Sequence, residues 1–265
     1  MRIVQKRPSI WKLINTEYKK IIFLRSSKIF LGVIILLSLI MGIVFCSTTS
    51  VTEGKVLSEL PPMDVMTASM LGIDVAAIML IIFTALSISS EFSTKLINVS
   101  LAVTPNRKRF YFSKLITYFL LSLVMSLIVT VLTYFAGHLI LKLNGLTLDA
   151  LGSARLLQFT FGCFLMPIFY CLLTVAATFI FRSSAGAITL SFGVLLFPAL
   201  INLFSNDIRR LVIPIMPMSA LHSLAGVAQA SAYESLGIGT SILILILWIS
   251  GTSLIGIIQF ERKDV

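Results

Sequence analysis

The chain has 265 residues, of which 57% are hydrophobic and 12% are charged, and its formal net charge is +10. A soluble domain carries about twice this fraction of charged residues, so the composition excludes an ordinary soluble protein and indicates a polytopic membrane protein. Basic residues in a membrane protein usually report topology. The positive charge therefore does not indicate binding to nucleic acid.

The chain opens with a basic head, residues 1–28, in which Pro8 and Ser9 offer a helix start. Apolar residues then share one arc at helical spacing: Ile10, Trp11, Leu13, Ile14, Tyr18, Ile21, Ile22 and Leu24. Polar residues share the other arc: Lys12, Asn15, Thr16, Lys19 and Lys20. Glu17 is the one residue that departs from this division, since it is charged but lies on the apolar arc.

This pattern predicts an amphipathic helix that lies in the inner membrane interface. Trp11 and Tyr18 would sit near the lipid headgroups, and the lysines, Lys19 and Lys20 among them, would face lipid phosphates. The alternative is a cytosolic extension of the first spanning helix. The apolar run that follows has no A-x-A-like cleavage site, so we expect a retained helix rather than a removed signal peptide.

Six apolar segments are long enough to span the hydrocarbon core, which takes roughly 20 helical residues. They are Ile29–Cys46, Met70–Ser90, Leu115–Leu141, Leu156–Phe181, Ser184–Phe204 and Leu236–Ile258. Helices are expected because lipid cannot satisfy open backbone groups. The predicted fold is therefore all-α, a single transmembrane domain over residues 1–265 with a bundle at 29–258 and a tail at 259–265.

The distribution of Lys and Arg predicts the orientation of this bundle. If the N-terminus is cytoplasmic, sixteen of the 21 basic residues lie on the cytoplasmic side. The positive-inside rule then places both termini in the cytoplasm, and we expect the protein in the cell membrane. The segment between the second and third spans, residues 91–114, becomes a cytoplasmic loop.

Two connecting segments lie on the predicted outer side. Residues 47–69, with Pro61 and Pro62, are expected to form a plain connector. Residues 205–235 carry Pro214 and Pro217 among small and apolar residues. We expect this second segment to form short helices that dip into the outer leaflet or cap the bundle.

Patterns for catalysis or cofactor binding do not occur. The sequence contains no G-x-x-x-x-G-K-[ST] loop and no H-E-x-x-H motif. Cys46, Cys163 and Cys171 lack metal or disulfide spacing and are expected to be small packing residues. His138 and His222, both predicted near the outer face, are expected to be interfacial polar residues. No catalytic, metal or cofactor site is predicted in this chain.

Asp74 is the one acid inside a predicted span, about one turn from the outer end of the second helix. An intramembrane acid is a candidate contact for a substrate or an ion. Near a helix end it can instead reach the headgroups, so a structural or interfacial role is the alternative. Other candidate contacts with a translocation pathway are hydroxyl-bearing residues on apolar helices: Ser87, Ser122, Ser126 and Thr130.

The cytoplasmic loop has an organisation of its own. Glu91 ends the second span, residues 94–103 (TKLINVSLAV) predict a short helix, and Thr104-Pro105-Asn106 predicts a turn. Arg107, Lys108 and Arg109 then follow as expected anchors at lipid phosphates. A short surface helix braced at both ends suits a contact with a cytoplasmic partner. The alternative is a positively charged loop that only sets topology.

This segment resembles the permease subunits of ABC type-2 exporters. Those proteins carry Glu-Phe after the second helix, a Gly/Ser-Thr, a Leu-x-x-[ST]-Pro-x-x-Arg-like run and a Lys at the third helix. The matching residues here are Glu91-Phe92, Ser93-Thr94, Leu101 to Arg107 and Ser113-Lys114. The family's usual Gly is Ser93 in this chain. The head, the six spans and the broken outer segment also resemble the family.

The resemblance implies that residues 94–105 hold a coupling helix for a separate ABC ATPase subunit, present in two copies, which binds ATP and Mg. The permease would form a dimer with a second copy or a paralogue. The residues implied in coupling to the ATPase are Glu91, Phe92, Thr94, Leu96, Leu101, Thr104, Pro105 and Arg107.

Two other classes of function stay open at this point. One is an ion-coupled secondary transporter or a channel that works without an ATPase, and the other is a membrane-embedded enzyme. For an exporter, apolar pathway helices with scattered hydroxyl groups suit an amphiphilic cargo better than a hydrophilic ion. An amphipathic or antimicrobial peptide, or a lipophilic drug, is the expected cargo.

Overall fold

The structure, a computed structural model, describes residues 9–54, 56–103, 106–146, 152–201, 203–228 and 233–262. Over these residues, every element of regular secondary structure is helical, and six helices are long and apolar enough to cross a membrane. This confirms the prediction of an all-α membrane protein with six candidate spans. Thr104 and Pro105 of the predicted turn, and Pro8 of the predicted helix start, lie outside the described residues.

The six long helices follow the predicted order. They are α2 (Arg25–Glu53), α3 (Pro62–Ser93), α5 (Arg107–Leu143), α6 (Ser153–Phe181), α7 (Ser184–Ile201) and α10 (Ile238–Arg262). Four shorter helices accompany them: α1 (Ile10–Phe23), α4 (Leu96–Val103), α8 (Asn206–Val212) and α9 (Pro217–Ala225).

Helix α1 begins where the sequence predicts. Ser9 is its N-cap, and the Ser9 hydroxyl accepts a hydrogen bond from the backbone N–H of Lys12 at 3.4 Å. Extended Leu24 separates α1 from α2. The helix buries Ile14, Glu17 and Ile21, so its inner face contains the acid that breaks the apolar pattern.

Helix α3 begins earlier than predicted, and this corrects the interpretation of residues 47–69. Pro61 is the N-cap and Pro62 is the first helical residue, a position that proline favours because its missing N–H would be unpaired there anyway. Helix α2 also continues to Glu53, beyond the predicted end at Cys46, so the connector between α2 and α3 is residues 54–61. Asp74 lies about 12 residues after Pro62, roughly 18 Å along the helix axis. The prediction that Asp74 lies about one turn from the helix end was wrong.

Helices α2 and α3 cross in direct backbone contact. A Cβ atom on Gly72 would overlap the carbonyl oxygen of Ser38, and a Cβ atom on Gly42 would lie 2.7 Å from the carbonyl oxygen of Ser69. Any larger residue at either glycine would force the two backbones apart. The crossing depends on both positions lacking a side chain.

Helix α6 is the central element of the bundle. In its most apolar stretch 78% of residues are buried, against 11% for α10, whose outer face is largely exposed. A two-residue turn at Arg182 and Ser183, in which Arg182 adopts a left-handed conformation with φ 54°, reverses the chain from α6 into α7.

The segment between α7 and α10 is broken, as predicted. Helix α8, a 3-10 turn at Ile213–Ile215 and α9 follow one another; Pro214 is the second residue of the turn and Pro217 is the first residue of α9. Trp248 of α10 donates an indole N–H to the carbonyl of Ile215 at 2.9 Å, and Ser219 donates to the carbonyl of Ile213 at 2.7 Å. These bonds fix the short elements against the bundle.

The bundle has two distinct ends. We call the basic end the one at which α1, α4, the start of α5 and the end of α10 meet; Phe260 of α10 contacts Phe92 and Phe110 there. The opposite end carries α8 and α9. The first and the last described helices thus share one end, as six crossings require. Which end faces the cytoplasm stays a prediction.

Candidate functional site

The loop between α3 and α5 lies at the basic end and contains α4. Thr94 closes α3, since its hydroxyl donates to the carbonyl of Ser90 at 2.6 Å. Lys95 then reverses the chain in a left-handed conformation with φ 57°, and α4 starts at Leu96. Ser93 is still helical, so the residue that replaces the family's usual glycine does not make the turn.

Helix α4 has one packed face and one open face. Ile97 is 1% exposed, and Leu101 packs against the main core of the bundle. Leu96 and Val99 are 54% and 64% exposed. We call these two outward residues the α4 ridge. An apolar pair in this setting is available for contact with another molecule.

Four charged side chains meet at the basic end of the bundle, and we call Glu17, Lys20, Glu91 and Lys114 the charge cluster. Lys114 of α5 is 2% exposed and contacts carboxylates from two other helices, Glu17 of α1 and, at 2.5 Å, Glu91 of α3. Lys20 completes the cluster, 2.7 Å from Glu17 and 3.6 Å from Glu91. Two acids and two bases balance in charge.

The two members of the cluster that belong to α1, Glu17 and Lys20, are held in their charged forms. Burial alone would raise the pKa of Glu17, but Lys114 and Lys20 outweigh that effect and hold the pKa below its ordinary value of 4.5. For Lys20, burial opposes the charged form, but hydrogen bonding and attraction from Glu17 and Glu91 raise its pKa above 10.5. The cluster ties α1 to α3 and α5, the helices on either side of the α4 loop.

An aromatic cluster lies next to the charges. It joins the ends of four long helices through edge-to-face and tilted ring contacts: Phe92, Phe110, Tyr111, Phe179 and Phe260. Ring centroids are 4.8 Å apart for Tyr111 and Phe179 and 5.0 Å apart for Phe179 and Phe260. Such pairs add about 0.5–1.5 kcal/mol each beyond their buried area.

Two arginines close the edge of this aromatic cluster. Arg107 donates to the carbonyls of Phe260 and Glu261 at 2.8 and 3.0 Å, so it satisfies open carbonyls at the end of α10. The guanidinium group of Arg182 lies 5.7 Å from the centre of the Phe92 ring.

The structure thus gathers most of the predicted ATPase-coupling residues at one end. Glu91, Phe92, Thr94, Leu96, Leu101 and Arg107 lie in or beside the α4 loop, and Thr104 and Pro105 lie outside the described residues. Of these, Leu96 is exposed, whereas Glu91 and Arg107 interact within the bundle.

The predicted membrane-interface residues divide into two groups on α1. Trp11 and Tyr18 are 76% and 44% exposed, and Lys19 is exposed as well. Lys20 instead belongs to the charge cluster. Trp11, Tyr18 and Lys19 can therefore contact lipid, whereas the ammonium group of Lys20 is held by the carboxylates of Glu17 and Glu91.

The predicted pathway hydroxyls lie in helix contacts within the chain. Ser87 receives a hydrogen bond from Tyr118 at 2.7 Å, and Ser126 of α5 donates to the carbonyl of Phe164 of α6 at 2.5 Å. Ser122 is buried and donates to the carbonyl of Phe119 at 2.9 Å, and Thr130 is 3% exposed. Ser122 and Ser126 are fully buried, whereas Ser87 and Thr130 each contribute to the wall of a partly open cavity at the surface of the bundle. Asp74 lies apart from them, in a cavity towards the opposite end.

The cysteines and histidines do not come together into one site among the described residues. All three cysteines are free, and among the described residues no group of three or more His, Cys, Asp or Glu is arranged to hold a metal. His138 is exposed and stacks on Tyr134 with ring centroids 6.4 Å apart. His222 lies 3.1 Å from Glu234, so it is tied to another segment.

Sequence reasoning missed Glu17 as a site residue. The available signal was its position: an acid on the apolar arc of an amphipathic helix requires a buried partner. Lys114 is part of the quoted motif, yet the motif gives no sign that its ammonium group joins α1 to α3. No protein-family model matches the chain, and a comparison with curated proteins finds no match.

Proposed function

We propose that this chain is the permease subunit of an ABC type-2 exporter, driven by a separate ATPase subunit that docks on α4. The observation that carries the proposal is the α4 ridge. Leu96 and Val99 lie outward on a helix of only eight residues, beside many basic residues. An exposed apolar pair at the predicted cytoplasmic side of a membrane bundle suits a protein contact.

The way α4 is held also supports this function. A helix that receives a mechanical input must be fixed to the elements that it moves. Ile97 and Leu101 fix α4 to the core, and the charge cluster links the helices on both sides of the loop to α1. A displacement of α4 would therefore act on α1, α3 and α5 together.

The remaining parts of the proposal follow from the same assignment. ATP and Mg would be bound by two copies of the ATPase subunit, and the permease would pair with a second copy or a paralogue. Helix α1 would lie in the cytoplasmic interface with Trp11, Tyr18 and Lys19 against lipid, and α8 and α9 would lie at the outer leaflet. The cargo would be an amphipathic or antimicrobial peptide or a lipophilic drug, moved across the bacterial cytoplasmic membrane.

The test is co-purification of the tagged chain with the ATPase encoded beside it, followed by ATP-dependent export from vesicles. We expect Leu96→Asp and Val99→Asp to lose the ATPase, because each places a charge in an apolar contact. Leu203→Asp is the matched control: Leu203 is 83% exposed and lies between α7 and α8 at the opposite end. That variant should keep the ATPase.

Leu101 is unsuitable for this experiment, because it packs against the core and its replacement by Asp would disturb the fold. Retention of the ATPase and of export by both ridge variants would refute the docking surface. Transport by the purified chain alone, driven by an ion gradient without ATP, would instead establish a secondary carrier.

A further inference from the structure

Asp74 lies too deep to behave as a residue of the helix end. It follows Pro62 by about 12 residues and precedes Glu91 by about 17, which is roughly 25 Å along α3. A hydrocarbon core of about 30 Å measured from the charge cluster would include it. An ionisable group at such a depth normally faces a cavity or a partner.

Asp74 lines a cavity enclosed by α3, α6 and α9. The cavity has a volume of about 90 Å³ and is partly open. Its walls are mainly apolar and include three methionines and a phenylalanine: Met70, Met166, Met218 and Phe159. Polar contributions come from Asp74, Thr67 and His222, together with the thiol of Cys163.

The charges around the cavity do not balance. His222 lies 3.1 Å from Glu234 and is also close enough to Asp74 to interact with it electrostatically, so one imidazole faces two carboxylates. Among the residues that the structure describes, none donates a hydrogen bond to Asp74 or forms an ion pair with it. An ionised Asp74 therefore leaves the cavity with a net negative charge, which a bound cation would compensate.

The residues that line the cavity, together with its volume, indicate which kind of cation it would bind. Methionine sulfur and an aromatic ring are soft, polarisable partners that suit an alkylated ammonium group. A cavity of about 150 Å³ accepts benzene, so the smaller volume here suits a compact head group rather than a whole drug. Hard metal ions prefer several oxygen ligands, and this cavity presents few.

We propose that this cavity binds the ammonium head group of a cationic amphiphile, with the Asp74 carboxylate as its counter-ion. The proposal extends the proposed function by assigning the cargo class, yet its test measures binding to the purified chain without an ATPase. Failure of the ABC assignment would therefore leave this result standing, and the reverse also holds.

Cys163 supplies a native reporter inside the same cavity, while Cys46 and Cys171 are both 0% exposed. The full chain in nanodiscs is treated with methanethiosulfonate reagents of similar size that carry a trimethylammonium or a sulfonate group. The thiolate displaces methanesulfinate and forms a mixed disulfide, which peptide mass mapping assigns to a cysteine. Each rate is divided by the rate of the same reagent with a small free thiol in the same buffer, because any thiolate favours a cationic reagent. On this normalised scale we expect Cys163 to react roughly tenfold faster with the cationic reagent, as one net charge in a low-dielectric site favours it.

Asp74→Asn should bring this ratio close to one, because it removes the charge and keeps the size. Asp64→Asn is the matched control: Asp64 belongs to the same helix but is exposed near its start. A ratio near one in the native chain, or one that Asp74→Asn leaves unchanged, would overturn the proposal. So would a complete lack of reaction at Cys163, since it would show that the cavity is closed to small cations.

Protection gives a second measurement on the same sample. Tetramethylammonium should slow modification of Cys163 by an uncharged methanethiosulfonate in the native chain and in Asp64→Asn. Its half-maximal protective concentration should rise roughly 30-fold or more in Asp74→Asn, as expected on loss of a buried charge partner. Equal protection by Na⁺, or by neopentyl alcohol as a neutral compound of similar size, would contradict an organic cation site.

Discussion

Replacement of Lys114 by Met should destabilise the protein far more than the same change at another lysine of α5. Lys114 is 2% exposed and contacts two carboxylates that are 7% and 12% exposed. Its removal leaves Glu17 and Glu91 close together with only the half-exposed Lys20 between them. Loss of one partner from a buried ion pair costs about 3–5 kcal/mol, mostly through the charge left behind.

The matched control is Lys108→Met. Lys108 also belongs to α5 and pairs with Glu261 at 3.7 Å, but the two side chains are 61% and 41% exposed. Water screens such a pair, so its loss should cost at most about 1 kcal/mol. Both variants remove one positive charge from the same helix, and they differ in burial.

The assay is thermal unfolding in one detergent, followed by the loss of monodisperse protein on size exclusion. For a chain of this size, 1 kcal/mol shifts the midpoint by about 2–4 °C, so Lys114→Met should lower it by roughly 6–20 °C. Trypsin should also cut α1 sooner, because Lys114 holds Glu17. Equal midpoints for the two variants would refute the argument that the charge cluster supports the fold.

Two further predictions concern pH and close packing. Because the pKa of Glu17 is lowered in the folded state, its contribution to stability is complete above pH 4.5 and is lost as the pH falls through the folded-state pKa. Acid should therefore release α1 from the bundle, which proteolysis of α1 would detect. Glu17→Gln should abolish this pH dependence. A Cβ atom on Gly162 would overlap the backbone of Ala225, so Gly162→Ala should cost about 1–3 kcal/mol in the same unfolding assay. The control is Gly193→Ala, because an added Cβ atom there has no neighbouring atom within 4 Å; this change should be neutral or stabilising by up to about 1 kcal/mol. A similar loss of stability at both glycines would contradict the close approach of α6 and α9.

The positions of the spans were predictable because the apolar runs are long and their ends are marked by charge or proline. The short helix α4 and the broken segment before α10 were also predictable, since each is bounded by residues that stop a long helix. The start of α3 was not, because Pro61 and Pro62 can end a connector or begin a helix. That choice depends on packing of α3 against α2, which the local sequence does not reveal.

The site was predictable only where its signal is local. The sequence pattern locates Leu96 on a short helix, and the structure shows that it is exposed. The role of Glu17 depends on Lys114, a residue far along the chain, and no periodicity can pair them. In the same way, Ser122 and Ser126 look like polar residues on an open helix face, yet both lie in packed contacts inside the bundle.

The glycine crossing of α2 and α3 has a consequence for motion. With the backbones in contact at Gly42 and Gly72, neither helix can slide along the other without atomic overlap. The crossing therefore opposes sliding of α2 along α3, and we expect larger rearrangements of the bundle to take place at other helix contacts. Helix α10 approaches the backbone of α6 less closely, since a Cβ atom on Gly256 would lie 3.2 Å from the carbonyl oxygen of Ala176, and 11% of its most apolar stretch is buried.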